Sequence, residues 1–591
     1  LQQELQKVIT QMPMLKREVA HRIKELNREI TQVTVEQFIA WLENKYHENE
    51  DIIAYLDEVK DFAIENAEEF LPQGDSDVPE NPRQRAQAFS PLKVNVIVDN
   101  TDTEGRPIVF EDNPTFQNLV GRVEYVSQMG TLLTDFTLIR AGALHRANGG
   151  YLIIEAEKLL WHLYAWEGLK QSLKSGEVKI TSLQERLSLN STLSLEPETT
   201  PLQVKVILLG EPYVYYLLNR YDPEFGKLFR VAADFAADAP RSAGNQQAYA
   251  HMIAAFQQQA ELLPLDKSAV CRVIEQAARL ADDSEKLSLD LESLNRLLRE
   301  ADHWARKRGA PQVERGDVDE AIRCERRRHD QLRERLGEQV VRGIRLIDTA
   351  GSKVAQVNGL SVMQLGSHSF GAPTRITATA RLGAGKVIDI EREAKLGGAI
   401  HSKGVMIMSA YLADCYARER PLPLAASLVF EQSYGGVDGD SASCAELCVL
   451  LSAIADLPLV QSLAVTGSMN QLGEVQAIGG INEKVEGFFD VCNARGLNGD
   501  QGVIMPAANQ VHLMLREDIR EAVDGGRFHI FTATHVDDVM ERLCGLPAGE
   551  PDGTGNYPAG SFNHVVSERF RALQELQDAY RGKNDERSDR D

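Results

Sequence analysis

Two short segments carry the residue types that acyl-transfer chemistry needs. The first is Tyr434-Gly435-Gly436-Val437-Asp438-Gly439-Asp440-Ser441-Ala442-Ser443, which leads into an apolar helical pattern through Ala445, Cys448, Leu451 and Ile454. A glycine-rich turn entering a helix exposes its first residue, and the free N–H groups at that end stabilise negative charge developing on a substrate oxygen. Ser441 stands where a nucleophile would stand; serine is equally an ordinary N-cap residue there. The second segment is Gly479-Gly480-Ile481-Asn482-Glu483-Lys484-Val485, with an apolar stripe at Ile481, Val485, Phe488 and Cys492. Lys484 falls on that stripe, so it either snorkels to water or is desolvated. Desolvation disfavours the ammonium and yields a neutral amine able to take the proton of a serine hydroxyl. Those are the requirements of a Ser/Lys dyad.

Three other constellations compete less well. Gly383-Ala384-Gly385-Lys386 looks like a phosphate loop, but the full pattern needs Gly at 380 and Ser or Thr at 387, where the chain has Ala380 and Val387. A strand pattern follows instead of a helix, so a hairpin turn is expected, and no other Walker A loop occurs in the chain. Cys444 and Cys448 are four apart on a helix, yet no nearby His or Cys completes a ligand set, so core packing and no metal are expected. His512, His529, His535 and His564 follow Ser441 in the order of an α/β-hydrolase triad, but Ser443 stands where G-x-S-x-G requires its second glycine.

The elements that must position these residues are legible in outline. The chain has 591 residues, 43% of them apolar and 26% charged, and a net charge of −23. One domain per roughly 150 residues gives about four. The acidic balance argues against a general nucleic-acid binder, the cluster Arg326-Arg327-Arg328 notwithstanding. No apolar run reaches membrane-spanning length and no secretory leader opens the sequence, so a soluble, cytoplasmic protein is expected. The seven cysteines lack CxxC spacing, which suits a reducing compartment. From Leu1 to Val33 apolar residues recur at steps of four and three, which predicts a long amphipathic helix, bent near Pro13. Residues 36–70 continue the pattern as a returning helix expected to cover the stripe. The stretch Leu71–Leu92, with four prolines, reads as a linker. Strand-like runs at Val94–Val98, Tyr151–Ile154 and Val204–Leu209 predict a buried parallel sheet, and the chain turns helical from Ala243 to Leu336. Further strands are expected at Ile376–Arg381, Lys386–Ile390 and Leu463–Thr466, then a short C-terminal helix from Phe562 and a disordered charged tail.

At the Ser and Lys segments the sequence resembles the Lon proteases, in the branch whose nucleophile sits in Gly-Asp-Ser-Ala-Ser. Further matches run through His401-Ser402-Lys403-Gly404-Val405, Val465-Thr466-Gly467 and Gly473-Glu474-Val475. Carried over, Ser441 corresponds to the nucleophile and Lys484 to the general base. Thr466 corresponds to a position near the Lys amine, and Asp438 and Glu431 are candidates for an auxiliary acid. Upstream, Gly142 to Ala156 resembles the Walker B neighbourhood of AAA+ ATPases carrying a long helical insertion. Glu155 stands at the Mg²⁺-holding position and Ala156 replaces the water-orienting acid. Glu211 falls at the sensor strand, Arg230 at an arginine-finger position, and Arg296 or Arg299 at the second sensor. The resemblance places a Walker A loop before the insertion in which this chain begins. It thus implies an α/β protein: a helical, coiled-coil-like arm (1–90), a partial AAA+ α/β module (91–242) with helical lid (243–336), a Lon-type peptidase domain (337–546), and a C-terminal helix and tail (547–591). The implied activity is endoproteolysis of unfolded or loosely folded proteins in a homo-hexameric ring. Peptide-bond cleavage requires no cofactor, and ATP with Mg²⁺ enters only with an upstream Walker A region. The alternative is a chaperone-like or scaffold ring with minor proteolysis.

Overall fold

The computed structural model describes residues 2–70, 89–128, 131–181, 195–366, 368–418, 421–553 and 555–588. The chain forms two compact units, Leu1–Asp234 and Phe235–Asp591.

In the first unit, α1 (Gln2–Lys45) is continuous through Pro13. The side chain of Asn49 accepts the Ile52 N–H and so starts α2 (Glu50–Glu65), which runs back along α1, with Lys60 3.8 Å from Glu36 and Lys24 3.6 Å from Glu68. Ile39, Leu56 and Ala63 are buried between them. The stripe expected to be covered is not: Leu15, Val19, Ile23 and Ile30 remain 55%, 55%, 54% and 58% exposed. The returning helix has 16 residues against 44 and packs on the face of Ile39.

Three parallel strands follow, β1 (Ile108–Glu111), β2 (Tyr151–Glu155) and β3 (Lys205–Leu209), with β2 central and its Leu152 and Ile154 fully buried. Helix α3 (Ala156–Trp161) leaves the end of β2 and α4 (Pro212–Tyr221) follows β3. Two of the predicted strands are thus present. Val94–Val98 is a loop instead: Val94 and Val96 are exposed, and the Asn95 amide donates to the carbonyls of Phe136 and Ile139 rather than joining a ladder. Most of the expected linker, 71–88, lies outside the described residues.

The second unit opens with five helices, α5 (Ala243–Gln259), α6 (Lys267–Leu280), α7 (Leu291–Arg308), α8 (Arg315–His329) and α9 (Gln331–Val341). Ser242, Asp266 and Asp290 cap the first three through their side chains. Val273, Ala277, Leu294, Leu298 and Val318 close the core of this helical group. A mixed seven-stranded sheet then forms from β4 (Gln356–Leu365), β5 (His368–Leu382), β6 (Lys386–Asp389), β7 (Leu424–Phe430), β8 (Leu463–Val465), β9 (Gly502–Pro506) and β10 (His529–Ala533), in the order β6-β7-β5-β4-β8-β9-β10. Pairs β4/β5 and β5/β7 are antiparallel and the others parallel. The predicted runs at 376–381, 386–390 and 463–466 all fall on these strands.

Helices α10 (Ala399–Tyr416), α11 (Ser443–Ala455), α12 (Ile481–Arg495) and α13 (Val536–Cys544) cover the sheet, and α14 (Phe562–Ser588) packs on α11. Alternation along a strand decides which helix lies on which face. Val465 and Ile504 share a core with α11, whereas Ala464, Val503 and Met505 share one with α12. The helices after the Ser and Lys segments therefore pack on opposite faces of one sheet. The last helix is longer than expected, running through Ser588, where a disordered tail was anticipated.

Candidate active site

Ser441 lies in the turn two residues ahead of α11 and is half-buried. It is not the helix cap: Ala442 holds that position and no side chain caps it. Ser443 instead closes the turn, its Oγ donating to the Asp440 carbonyl at 2.9 Å and accepting the Met469 N–H at 3.2 Å. The Ser441 hydroxyl is thereby free of structural duty. Its carbonyl is gripped from the end of β8, by the Gly467 N–H at 2.8 Å and the Thr466 Oγ1 at 3.3 Å. The N–H groups of Ser441 and Ala442 carry no acceptor among the described residues.

Lys484 sits in the first turn of α12, 3% exposed. Its Nζ donates to Ser441 Oγ at 3.0 Å and makes no ion pair among the described residues. Burial drives the ammonium down to about 8, opposed only by the charge of Asp440. Two backbone features hold it there. Gly480 leads into α12 at φ +64, where a side chain would be strained and would strike Val362. Deeper in, Gly371 of β5 meets α12 backbone to backbone: a Cβ on Gly371 would stand 2.0 Å from the Glu483 carbonyl oxygen, and one on Gly487 2.2 Å from the Gly371 oxygen. Arg279 of α6 braces the same turn, donating to Glu483 at 2.8 Å and Glu486 at 2.7 Å.

The remaining candidates separate. Thr466 is buried and bonds the Ser441 carbonyl, with no hydrogen bond to Lys484. Asp438 is exposed and accepts the Gly439 N–H at 2.9 Å, and Glu431 accepts the Thr377 hydroxyl at 2.8 Å; neither is bonded to the Ser–Lys pair. The carboxylate that Lys484 does feel is Asp440, adjacent to the serine in the same motif but not among the sequence-derived candidates. None of His512, His529, His535 and His564 is hydrogen-bonded to Ser441; the ring of His529 faces the Gly499 carbonyl and that of His535 the Leu472 carbonyl. Cys444 and Cys448 are wholly buried in the core. The glycine N–H groups of the phosphate-loop look-alike are spent on the carbonyls of Pro423 and Leu424, and β6 follows directly.

In the first unit, Glu155 ends the central strand, paired to Lys158 at 3.0 Å. Glu211 lies two residues beyond the end of β3, and its N–H donates to Glu157 at 3.0 Å. Both acids therefore sit at the carboxyl ends of parallel strands, where open α/β sheets bind ligands. Arg230 is exposed and donates to the Lys227 carbonyl at 3.1 Å. In the second unit, Arg296 pairs with Glu325 at 3.0 Å and Arg299 with Asn295 at 3.1 Å.

Comparison with known proteins follows the same division. Residues 104–236 match the LonB-like AAA domain, 264–328 the archaeal LonB AAA+ ATPase LID domain, and 428–545 the C-terminal proteolytic domain of Lon protease (S16). A proposed Lon protease homolog of Escherichia coli (strain K12) is 36% identical over 70% of this chain and 69% of its own. One from Haemophilus influenzae is 34% identical over 73% and 70%. The archaeal Lon protease of Halobacterium salinarum is 26% identical over 77% of this chain and 62% of its own length. Since the proteolytic-domain match contains both Ser441 and Lys484, and the identity to the bacterial homologs extends across two thirds of each protein, the chain belongs to the Lon protease family and carries its peptidase domain.

Proposed function

We propose that the chain is a serine endopeptidase in which Ser441 and Lys484 form a dyad. The neutral Lys484 amine takes the Ser441 Oγ proton as the oxygen attacks the scissile carbonyl, and the N–H groups of Ser441 and Ala442 receive the oxyanion. The ammonium so formed returns its proton to the departing amine. Neutral again, Lys484 takes a proton from a water molecule as that water attacks the acyl-enzyme ester, and returns it to Ser441 Oγ as the ester C–O bond breaks and the second product leaves as the acid. What supports this most is one contact: a lysine 3% exposed, 3.0 Å from a serine hydroxyl, the lysine having no ion-pair partner and the hydroxyl no other hydrogen-bond partner among the described residues.

The substrates proposed are unfolded or loosely folded proteins, handled by a homo-hexameric ring. Bond cleavage draws nothing from ATP. The 591 residues contain no Walker A loop and have Ala156 at the water-orienting position, so this polypeptide turns over ATP poorly and binds Mg²⁺-nucleotide only together with a Walker A region. The decisive test is Ser441→Ala, which removes the nucleophile and no core volume. Cleavage of a short fluorogenic peptide and of casein is expected to fall at least about a thousandfold with oligomeric state unchanged. Residual cleavage near wild type in a contaminant-free preparation would end the dyad assignment.

A further inference from the structure

A second buried cluster of ionisable groups lies in the peptidase fold and takes no part in the proposed dyad. Asp389 ends β6, Glu391 follows two residues on, and His401 occupies the first turn of α10; they are 4%, 3% and 1% exposed. One oxygen of each carboxylate is committed to the backbone. Asp389 Oδ1 accepts the Glu391 N–H at 3.2 Å, and Glu391 Oε1 accepts the Phe430 N–H at 2.8 Å. The other oxygens, Asp389 Oδ2 and Glu391 Oε2, have no hydrogen-bond partner among the described residues, and neither has His401 Nε2. One donor atom from each of the three residues falls within 4.8 Å of the others. Behind the imidazole, His401 Nδ1 faces Glu446 Oε1 of α11 at 3.8 Å; Glu446 is 1% exposed, and that oxygen too has no hydrogen-bond partner among the described residues.

Three carboxylates buried around one imidazole are costly unless protons or a cation offset them. With protons alone, an imidazolium at His401 would face Asp389 Oδ2 at 3.2 Å and Glu446 Oε1 at 3.8 Å and leave Glu391 Oε2 without a partner among the described residues. A divalent cation uses all three lone pairs at once. Two donors about 2.1 Å from a tetrahedral Zn²⁺ stand about 3.4 Å apart, and His401 Nε2 lies 3.2 Å from Asp389 Oδ2. A carboxylate behind the distal nitrogen is what orients a metal-bound histidine. The imidazole disfavours Mg²⁺ and Ca²⁺, which take oxygen donors.

We propose that Asp389, Glu391 and His401 form a buried divalent transition-metal site, for Zn²⁺ in the first instance, with Glu446 accepting the Nδ1 proton of His401. Its role is structural. The ion ties the end of β6 to α10 and, through Glu446, to the first turns of α11, the helix that begins two residues after Ser441. It neither touches the dyad nor depends on the dyad's existence.

The test uses the full chain with any affinity tag removed, exposed to Zn²⁺ or Co²⁺ alone and dialysed against metal-free buffer. Elemental analysis should find about one equivalent retained, Co²⁺ should give the visible bands of a four-coordinate site, and the thermal midpoint should rise by several degrees. Glu391→Gln, which keeps an oxygen for the Phe430 N–H, and His401→Gln should each cut retained metal at least about tenfold and abolish the Co²⁺ bands. The wild-type Co²⁺ spectrum carries the test even if a variant fails to fold. A wild type that retains no metal and shows no thermal shift would make the cluster a set of shared protons. Equal retention by wild type and a folded variant would place the metal elsewhere. Either result overturns the site.

Discussion

Lys484 concentrates the residue-scale argument, because one physical cause, burial, sets both its chemistry and its cost. With the ammonium depressed from 10.5 to about 8, a working fraction of amine exists near neutral pH and grows as pH rises. The activity kcat/KM for a short peptide should therefore climb with pH and level off above about 8; a profile flat between about pH 6.5 and 9 would remove Lys484 as the base. Stability follows with a definite sign. The unfolded chain binds the proton more tightly, so across the window from about 8 to 10.5 folding becomes more favourable as pH rises. Below that window the fold carries the whole penalty, on the order of 3 kcal/mol. Lys484→Met should accordingly be inactive yet melt higher than wild type at pH 7, with the advantage fading toward pH 10, as thermal melts across pH would register. Lys484→Arg should be equally inactive, since a guanidinium does not give up its proton in this range.

At the scale of elements, the Ser441–Lys484 contact depends on how closely α12 can approach β5. Gly371 and Gly487 let the two backbones touch, and any Cβ there meets a carbonyl that cannot swing aside. Gly487→Ala should push the helix outward, costing about 1–3 kcal/mol, and should lower peptide cleavage at least about tenfold by lengthening the Ser441–Lys484 contact. Gly479→Ala is the control, because nothing stands within 4 Å of a Cβ there. Its activity and melting temperature should match wild type; if both variants behave alike, close packing is not what positions Lys484. The glycines were visible as composition, but their meeting was not, since it joins positions 371 and 487 across the sheet. The same limit governs the rest. Ser441 and Lys484 were legible as candidates because each sits in a local glycine-rich helix entry with an apolar stripe, and as a pair through the family resemblance; the strands at 151–155 and 205–209 were legible because continuous aliphatic runs mark buried parallel strands. Val94–Val98 has the same composition but no neighbouring strand. Asp438 and Glu431 were assigned by resemblance, and local partners claim both side chains. Asp389 and Glu391 carry no motif, and the matched segment that His401 opens does not point to them, because their convergence depends on where β6 ends relative to α10. Arg279 is a further case: nothing in its own segment of the sequence links it to Glu483 and Glu486, some two hundred residues on, although the pairing braces the lysine turn.

For the molecule as a whole, the arm formed by α1 and α2 raises the question of which proteins reach the peptidase. A 44-residue helix is about 66 Å long, and its stripe from Leu15 to Ile30 stays more than half exposed even after α2 has folded back. Exposed apolar residues at helical spacing are the kind of surface that serves binding, and for the function proposed above the partner it would suit is an apolar segment of a non-native protein, which displays side chains that a folded protein hides. A short peptide gains little from such a stripe and can diffuse to Ser441 unaided. Deleting residues 1–70 should therefore lower degradation of a full-length unfolded protein by about tenfold, the effect of losing roughly 1.4 kcal/mol of client binding, and change short-peptide cleavage by far less. Replacing Val19, Ile23 and Ile30 with serine should reproduce the difference without shortening the helix. Equal losses on both substrates, accompanied by a smaller particle in light scattering, would instead assign the arm to assembly, because a subunit that fails to assemble loses both activities together.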